Sequence, residues 1–274
     1  MRQLRDRVAV VTGAAGSLGS LLAEALATEG CHLALADLDP ARLEALAARL
    51  APTGVRVTTH AVDVRTAAAL DALAAEVEAA HGGCQLLVNA AGVTIWGVFT
   101  DQPAHQIDWL LDVNVRGTLH ACRAFAPLLA AAHEAHVVNL CSMVGMFGVP
   151  IQSTYSASKW AIRGFSEALR AEWAPRGIGV TAVLPGAVAN DFLGAGGVHD
   201  PTAVDKVVGL VRQHGVAPER VVAALLDGVR RNRAEVVVGV DAKLVAWTQR
   251  LAPGLLPALV RWSYRRFTPD GRIT

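Results

Sequence analysis

Short, wholly apolar runs alternate with helical segments along most of the chain, and this alternation limits the fold more than any other feature. Val8-Ala9-Val10-Val11 is the first such run, and it has no polar residue that would mark a solvent-facing side. A strand without a polar side is typical of a parallel sheet that helices cover on both faces. The repeated order of strand and helix favours the same arrangement. The sequence therefore predicts an α/β protein with a doubly wound parallel sheet and helices on both faces.

The predicted elements follow one another without a change in composition that would mark a domain boundary. The strands are expected at Val8–Val11, Cys31–Ala36, Val55–His60, Gln85–Val88, His136–Leu140, Gly179–Leu184 and Glu235–Val238. The helices are expected at Leu18–Glu29, Pro40–Leu50, Thr66–His81, Gln106–Ala132 (with a break near Pro127), Thr154–Ala174 and Pro218–Arg231. We predict one domain over residues 1–274, with a substrate loop or lid at about 187–215, including a loop at Asp191–Gly215, and an amphipathic C-terminal extension at 241–274.

Composition excludes several classes of function. The formal net charge of +1 gives no overall field that would attract nucleic acid. The four cysteines, Cys31, Cys84, Cys122 and Cys141, lack the spacing of a zinc site, so we expect no metal and reduced thiols. No apolar stretch reaches the roughly 18–20 residues of a membrane span, and no signal-peptide pattern opens the sequence. These observations predict a cytoplasmic protein.

A glycine-rich turn lies between the first strand and the first helix, at Thr12–Gly19. Glycine lets the backbone turn tightly and approach a pyrophosphate, and the helix N-terminus offers free N–H groups and the positive end of its dipole. The residues expected to contact the cofactor there are Gly13, Gly16, Ser17, Leu18 and Gly19. Asp37 ends the second strand at about the 20-residue offset of a ribose-binding acid. Turn and acid together predict a dinucleotide site.

Asp37 also bears on which dinucleotide is bound. A carboxylate can accept hydrogen bonds from the ribose hydroxyls of NAD and would repel the extra phosphate of NADP. No Arg or Lys occupies Ala14–Gly16 or Leu38, where a cation could hold that phosphate. Arg42, on the next helix, is the one cation that weakens this inference. We predict a preference for NAD over NADP.

Tyr155 and Lys159 form a candidate acid/base pair. They are four residues apart on a predicted helix and so share one face. A phenol has an ordinary pKa near 10, and a neighbouring ammonium stabilises the phenolate and lowers that pKa. Ser142 follows the fifth strand at the carboxyl edge, where it could hold a substrate carbonyl. Asn114, inside a long apolar helix, either binds a water leading to Lys159 or is an ordinary buried amide.

Taken together, these segments resemble the short-chain dehydrogenase/reductase family. The matching segments, in the family's order, are Thr12–Gly19, Asp63-Val64, Asn89-Ala90-Ala91-Gly92, Asn114, Ser142, Tyr155-Ser156-Ala157-Ser158-Lys159 and Pro185-Gly186. The resemblance covers roughly residues 5–190 and is specific as a set. It implies a Rossmann-type fold, an NAD(P)-dependent alcohol dehydrogenase or carbonyl reductase activity (EC 1.1.1.-), and a homodimer or homotetramer paired through the helices at Gln106–Ala132 and Thr154–Ala174.

The resemblance also implies a role for each matching residue. Tyr155 would be the general acid/base, Lys159 would also hold the nicotinamide ribose, Ser142 would orient the substrate, and Asn114 would complete a proton relay through water. Further cofactor contacts would come from Leu38, Asp63, Val64, Asn89, Ala90, Gly92, Pro185, Gly186 and Val188. Two positions depart from the family pattern. Ser17 stands where a second motif glycine is usual, and Asn190 stands where a threonine often follows Pro-Gly.

The candidate substrate pocket is apolar. Its predicted lining residues are Val93, Ile95, Trp96, Met143, Val144, Phe147 and Phe192, with Thr94, Met146, Val149 and Leu193 nearby. No Arg or Lys in these stretches could clamp a charged group, so a hydrophobic secondary alcohol or ketone, steroid-like or aryl-alkyl, is favoured. Two alternatives are a 3-oxoacyl thioester reductase and, from another class, a non-catalytic dinucleotide-binding sensor.

The segment Leu244–Phe267 carries tryptophans and leucines interspersed with arginines. Three interpretations stay open. The segment could pack on its own domain, it could cover the pocket of a neighbouring subunit, or it could lie on a membrane surface.

Overall fold

The computed structural model describes residues 1, 3–194, 197–198 and 201–267. Its strands are β1 (Val8–Thr12), β2 (His32–Asp37), β3 (Val57–Ala61), β4 (Leu86–Asn89), β5 (Ile95–Trp96), β6 (Ala135–Leu140), β7 (Ile178–Pro185), β8 (Gly197–Val198) and β9 (Glu235–Val238). Its α-helices are α1 (Ser17–Thr28), α2 (Pro40–Leu50), α3 (Ala67–His81), α4 (Ala104–Leu111), α5 (Gly117–Ala131), α6 (Ser153–Trp173), α7 (Pro201–His214), α8 (Pro218–Arg230), α9 (Val240–Leu251) and α10 (Leu255–Phe267). Parts of the predicted lid (195–196 and 199–200) and of the C-terminal extension (268–274) lie outside the described residues.

Within the described residues, seven parallel strands form one sheet in the order β3-β2-β1-β4-β6-β7-β9. β1 pairs with β2 on one side and with β4 on the other, so the winding of the chain reverses there. Open parallel sheets bind ligands outside the carboxyl ends of the strands at this switch point. The chain has the predicted Rossmann-type fold, a single domain with helices on both faces of the sheet.

β1 shows why its sequence needs helices on both sides. Ala9 and Val11 pack into one core with residues of α1, α2 and α8. Val8 and Val10 pack into the opposite core with residues of α3, α5 and α6. Since successive side chains of a strand point to opposite faces, a wholly apolar strand fills both cores.

The predicted helix Gln106–Ala132 is interrupted, but not at the expected place. Its N-terminal part is α4 and its C-terminal part is α5, and a π-helical segment, Asp112–Arg116, lies between them. Pro127 lies inside α5, which continues to Ala131, so the expected break near Pro127 is wrong. The π segment carries Asn114, whose amide bonds to the backbone of the neighbouring loop. Such π turns occur frequently at functional sites.

The segment Asp191–Gly215 was predicted as a loop or lid, and the loop is wrong, because the segment contains α7 and the short strand β8. β8 pairs with β5 through Ile95 and Gly197, and a bridge joins Val188 to Val216.

The C-terminal extension consists of α9 and α10, with Pro253 and Gly254 between them and Pro257 in the first turn of α10. No helix in the described part of the chain combines the length and the apolar character needed to cross a membrane.

Acidification is expected to destabilise the fold through His136, which is 1% exposed on β6. Thr181 donates its hydroxyl to the Arg233 carbonyl (2.6 Å) and so accepts from His136 Nε2 (2.7 Å), while His136 Nδ1 has no hydrogen-bond partner within the described residues. Burial lowers the pKa of His136 from 6.5 to about 3. The unfolded chain therefore takes up a proton near pH 6.5 that the folded chain refuses until about pH 3.

This difference contributes stability above pH 6.5 that is lost as the pH falls toward 3. The free energy of unfolding should decrease by up to about 1.4 kcal/mol per pH unit in that window from this residue. Urea unfolding of the wild type and of His136→Gln between about pH 7 and about pH 5 measures it. The free energy of unfolding of the variant should depend less steeply on pH than that of the wild type. An equal slope in both proteins would show that His136 is not the titrating group.

Candidate active site

The glycine-rich turn after β1 is packed too tightly to admit a side chain at two of its glycines. Gly13 has φ +68°, and a Cβ there would lie 2.6 Å from the backbone of Ala91. A Cβ on Gly19 would lie 2.1 Å from the Gly13 carbonyl oxygen. Gly16 is the N-cap of α1, which has no side-chain cap and no acidic residue in its first turn. The first N–H groups of α1 are therefore available to an anion.

Ser17 opens α1 and is exposed, so its extra Cβ and hydroxyl meet no steric obstacle inside the protein. Leu18 is half-buried and packs against the core on the α1 side of the sheet. The departure at Ser17 therefore leaves the tight geometry of Gly13 and Gly19 intact.

Asp37 lies at the carboxyl end of β2, and its carboxylate is held by backbone N–H groups. The N–H of Ala15 donates to Asp37 Oδ2 at 3.0 Å, and the N–H of Asp39 donates to Asp37 Oδ1 at 3.3 Å. These bonds tie the acid to the glycine-rich turn. Leu38, beside it, is 63% exposed, which is unusual for a leucine and leaves an apolar surface next to the carboxylate.

Asp63 and Val64 follow β3 on the same edge of the sheet. Arg65 donates to both carboxylate oxygens of Asp63, at 3.0 and 2.9 Å, and holds the pKa of that carboxyl below its usual range. Val64 is buried against Gly117, where a Cβ would come within 2.8 Å of the valine side chain. The interaction with Arg65 was not predicted, and no spacing rule in the sequence indicated it.

Asn89, at the end of β4, is part of a buried polar network. It donates to Asn139 Oδ1 at 2.8 Å, and Asn139 in turn donates to Ser166 Oγ on α6 at 2.9 Å. Asn89 is 3% exposed and its own Oδ1 has no partner among the described residues. The network joins β4, β6 and α6 beneath the candidate site, in keeping with a supporting role for Asn89.

Tyr155, Ser142 and Lys159 are brought together although they lie on different elements. The Ser142 side chain lies close enough to the Tyr155 phenol to lower its pKa, and Lys159 Nζ lies 5.6 Å from the centre of the Tyr155 ring. Lys159 Nζ donates to the Leu140 carbonyl oxygen at 2.9 Å. All three residues lie at the carboxyl edge of the sheet, where β6 ends and α6 begins.

Burial dominates the electrostatics of this group. It raises the pKa of the Tyr155 phenol above its ordinary value, and the neighbouring Ser142 offsets only part of that rise. It also lowers the pKa of the Lys159 ammonium. The sequence suggested that Lys159 would lower the pKa of the phenol. In the chain by itself desolvation has the larger effect, because both side chains are almost completely buried.

Asn114 lies next to this group and is 1% exposed. Its Oδ1 accepts from the Val93 N–H at 2.8 Å, and its Nδ2 donates to the Val93 carbonyl at 2.9 Å and to Ser158 Oγ at 3.1 Å. A Cβ on Gly92 would lie 3.4 Å from Asn114 Oδ1 and 3.7 Å from Lys159 Nζ. Gly92 therefore borders both polar groups. Ala90, two residues earlier, donates its N–H to the Thr12 carbonyl of β1 at 3.2 Å.

Most of the predicted pocket residues gather around Tyr155. The apolar cluster that contains Tyr155 includes Val93, Ile95, Met143, Val144, Phe147, Val149 and Phe192, together with Trp109, Leu110 and Leu111. The Phe192 ring lies 6.1 Å from the Tyr155 ring, centre to centre. Trp96 lies elsewhere, packed with Val208, and its Nε1 donates to the Leu193 carbonyl at 3.0 Å. Trp96 is therefore removed from the cluster on Tyr155.

Two other candidates near the pocket, Met146 and Thr94, are not part of this cluster. Met146 packs with Cys141 and Leu184. Thr94 is 1% exposed and accepts from Gln152 at 3.4 Å. The α4 residues Trp109, Leu110 and Leu111 were missed, because nothing in their sequence distinguishes them from ordinary core residues of a helix.

The backbone after β7 is held by a residue that the sequence did not reveal. Asp241, in the first turn of α9, accepts from the Ala187 N–H at 2.9 Å. A Cβ on Gly186 would lie 2.1 Å from Asp241 Oδ1, so only glycine fits between Pro185 and Ala187. Val188 is half-buried and pairs with Val216. The local sequence around Asp241 gave little sign of this role. Gly239-Val240-Asp241 at the start of α9 indicates only that an acidic residue lies near a helix N-terminus.

The arrangement fits a dinucleotide cofactor along the carboxyl edge of the sheet. The turn has no room for a side chain at Gly13 or Gly19, the N-terminus of α1 is uncapped, and Asp37 is fixed at the next strand end. At the other end, Gly92 borders Asn114 and Lys159. In the described residues, no group of three or more His, Cys, Asp or Glu side chains could hold a metal ion.

A comparison with protein families agrees with this geometry. The family model described as short chain dehydrogenase matches residues 7–196. The chain belongs to this family. It is therefore a short-chain dehydrogenase/reductase, and its candidate site fits a nicotinamide dinucleotide.

Two relatives from Mycobacterium tuberculosis differ in how much of them the chain matches. SadH, named as an oxidoreductase, is 34% identical over 276 residues, which cover 98% of this chain and 99% of SadH. EphD, also named as an oxidoreductase, is 32% identical over 268 residues, which cover 93% of this chain but 45% of EphD. The chain thus spans less than half the length of EphD.

Solved structures of short-chain dehydrogenases have the same fold. A short-chain dehydrogenase/reductase from Burkholderia phymatum, in complex with NAD, has a TM-score of 0.82 and 27% identity, and the match covers 98% of this chain and 96% of that one. A metagenomic short-chain oxidoreductase in complex with NADP has a TM-score of 0.71 and 28% identity, over 86% of this chain and 97% of that one. Either nicotinamide dinucleotide is therefore compatible with the fold.

Proposed function

We propose that the chain transfers a hydride between NAD and a hydrophobic secondary alcohol or ketone, with Tyr155 as general acid/base. One observation carries the proposal, namely that the buried Tyr155 phenol lies beside Ser142 and has Lys159 Nζ 5.6 Å from the centre of its ring. A bound nicotinamide supplies the group that accepts or donates the hydride. The protein must then move one proton to or from the substrate oxygen, and a positioned phenol performs that task.

Each side chain has a separate part in the proton transfer. Ser142 can hold the substrate oxygen near Tyr155, because it lies close enough to the phenol to affect its pKa. Lys159 places a positive charge 5.6 Å from the ring, and that charge favours the phenolate. Asn114 sits on the π segment, and both Asn114 and Lys159 lie beside Gly92. The side-chain amide of Asn114 is held in place because it accepts from the Val93 N–H and donates to the Val93 carbonyl.

Hydrophobic substrates are favoured by the residues around Tyr155. Apolar side chains pack around Tyr155, among them Val93, Leu110 and Met143, and the Phe192 ring lies 6.1 Å from the Tyr155 ring. A steroid-like or aryl-alkyl ketone fits such walls better than a sugar phosphate, which would need a cation. A screen of secondary alcohols with NAD, following the absorbance of the reduced nicotinamide, tests the proposal. If turnover is found only with 3-oxoacyl thioesters, the protein would be a 3-oxoacyl thioester reductase instead. If NADH binds but no substrate is turned over, the protein would be a non-catalytic dinucleotide-binding sensor.

NAD is expected to be the better cofactor by at least tenfold in kcat/KM. The Asp37 carboxylate is held in place by the N–H groups of Ala15 and Asp39, so it cannot move away from the extra phosphate of NADP. The Asp37→Asn variant should shrink the preference at least tenfold, because it removes the negative charge and keeps the shape. Steady-state kinetics with both cofactors measure this.

Asp71→Asn is the matched control for that experiment, since Asp71 is an exposed carboxylate on α3 paired with Arg123. It should leave the cofactor preference unchanged. A wild type that uses NADP tenfold better than NAD would contradict the assignment of Asp37.

We also propose a homodimer or homotetramer that pairs α5 and α6 with those of another copy. Leu119 on α5 and Trp160 on α6 are 36% and 48% exposed, which is unusual for side chains of this size and supports a contact there. Light scattering coupled to size-exclusion chromatography tests it, and a monomer at micromolar concentration would contradict it.

A further inference from the structure

The two C-terminal helices turn large apolar side chains toward solvent. On α9, Leu244, Trp247 and Leu251 are 63%, 67% and 72% exposed. On α10, Leu255, Leu259 and Trp262 are 49%, 49% and 61% exposed. The spacings are i, i+3, i+7 and i, i+4, i+7, so each set forms one helix face. We call these six residues the C-terminal stripe. An apolar surface of this kind marks an interaction site.

The opposite face of α9 already anchors the helix to its own domain. Ala242 is completely buried, and Val245 and Ala246 pack against the cluster that contains Cys141 and Leu184. Gln249 donates to the Met146 carbonyl at 2.7 Å. Packing on the domain therefore explains one face of the segment and leaves the C-terminal stripe unexplained.

Positive charges accompany the stripe. Lys243, Arg250, Arg261 and Arg265 are exposed on the same two helices. Asp241 is the one acidic residue among the described residues 240–265, and its carboxylate is turned inward to the Ala187 N–H. The surface that carries the stripe is therefore both apolar and cationic.

We propose that the C-terminal stripe docks on the surface of a lipid bilayer that contains anionic headgroups. Interfacial helices bind such surfaces with Trp and Leu on one side and Lys or Arg beside them, because the apolar side chains enter the acyl boundary while the cations meet the headgroups. A second copy fits the stripe less well. A two-fold contact would bring the cations of one copy against those of the other without a carboxylate between them.

A cavity next to the C-terminal stripe connects the docking helices with the candidate site. It has a volume of about 650 Å³, and Val260, Arg261 and Tyr264 of α10 line it together with Phe147. Phe147 also belongs to the apolar cluster around Tyr155. The cavity therefore adjoins both the docking helices and the walls of the candidate site. The docking itself does not depend on the proposed reaction, so the two are tested separately.

Sedimentation with vesicles tests the proposal on the full chain. Vesicles of phosphatidylcholine alone are compared with vesicles that also contain phosphatidylglycerol, at low and high salt. The wild type should sediment with the anionic vesicles, release them at high salt, and stay in solution with phosphatidylcholine alone. Leu251→Glu should weaken binding to anionic vesicles at least about tenfold, because it buries a charge in the acyl boundary.

Leu210→Glu is the matched control, because Leu210 is 60% exposed on α7 and lies outside the stripe. It should bind anionic vesicles like the wild type. Arg250→Gln combined with Arg261→Gln should weaken binding by roughly tenfold or more, since each cation near an anionic surface contributes comparably. NADH binding by each variant confirms that it is folded.

Three results would overturn the proposal. The first is a wild type that stays in solution with anionic vesicles at low salt, and the second is a Leu251→Glu variant that binds as well as the wild type. The third is a Leu251→Glu variant that converts an oligomer to monomers while the wild type ignores vesicles, which would assign the stripe to a subunit contact.

Discussion

Replacing Tyr155 by phenylalanine is expected to lower kcat by about 10²–10⁴-fold, the usual contribution of a general acid/base, while the Kd for NADH stays close to that of the wild type. The change removes one oxygen atom, the phenol oxygen that lies beside Ser142 and would exchange the proton. The ring remains and fills the same space beside Phe192 and Leu110, so the apolar cluster keeps its packing. Steady-state turnover and a fluorescence titration with NADH separate the two quantities.

Tyr264→Phe provides the matched control, because Tyr264 is the other tyrosine of the chain and lies on α10. The same atom is removed there, and turnover should stay within about threefold of the wild type, well below the effect of losing an acid/base. If Tyr155→Phe itself kept turnover within threefold of the wild type, Tyr155 would not be the proton-transfer group.

Gly19→Ala should lower the affinity for NADH at least tenfold and should also lower the melting temperature. The new Cβ would lie 2.1 Å from the Gly13 carbonyl oxygen and 2.9 Å from the Ala14 Cα. All of these neighbours are backbone atoms, so the turn and α1 must move apart, and overpacking of this kind costs about 1–3 kcal/mol or more. A displaced turn no longer aims the first N–H groups of α1 at the pyrophosphate.

Gly164→Ala is the same change at a helical glycine that has open space around it. It should raise stability by up to about 1 kcal/mol, because alanine is the better helix former. NADH affinity should not change. Equal NADH affinities for Gly19→Ala and the wild type in calorimetry would show that the tight turn does not position the cofactor.

Local sequence signals predicted several elements to the residue. α2 begins and ends at Pro40 and Leu50 as expected, because Asp39 caps its N-terminus and Pro40 suits the first position. The interactions that set the start of α2 lie within a few residues of it. β9 also has the predicted bounds, although it is held by pairing with β7.

Elements that depend on distant contacts were predicted less well. The π segment at Asp112–Arg116 accompanies bonds from Asn114 to Val93 and Ser158, which are far away in the sequence. α7 is amphipathic, but the glycine-rich stretch before it favoured a loop, so it was not predicted as a helix. The contacts of the π segment lie beyond the reach of a local pattern.

The candidate site shows the same division. Its polar members, Asn114, Ser142, Tyr155 and Lys159, were all found from motifs, because each lies at or near the end of a strand or on one helix face. Arg65, Leu110 and Asp241 were missed, because their roles arise from side chains that meet only after the chain has folded.

The amino-acid sequence by itself determined the parallel sheet, the family and the residue types at the carboxyl edge, because those depend on local periodicity and on short motifs. The tertiary structure decided how these residues meet. It turns Lys159 toward the Leu140 carbonyl, buries Tyr155 enough to raise the pKa of its phenol, and points the stripe of α9 and α10 outward. Desolvation and packing act between segments far apart in the chain, so no local pattern contains them.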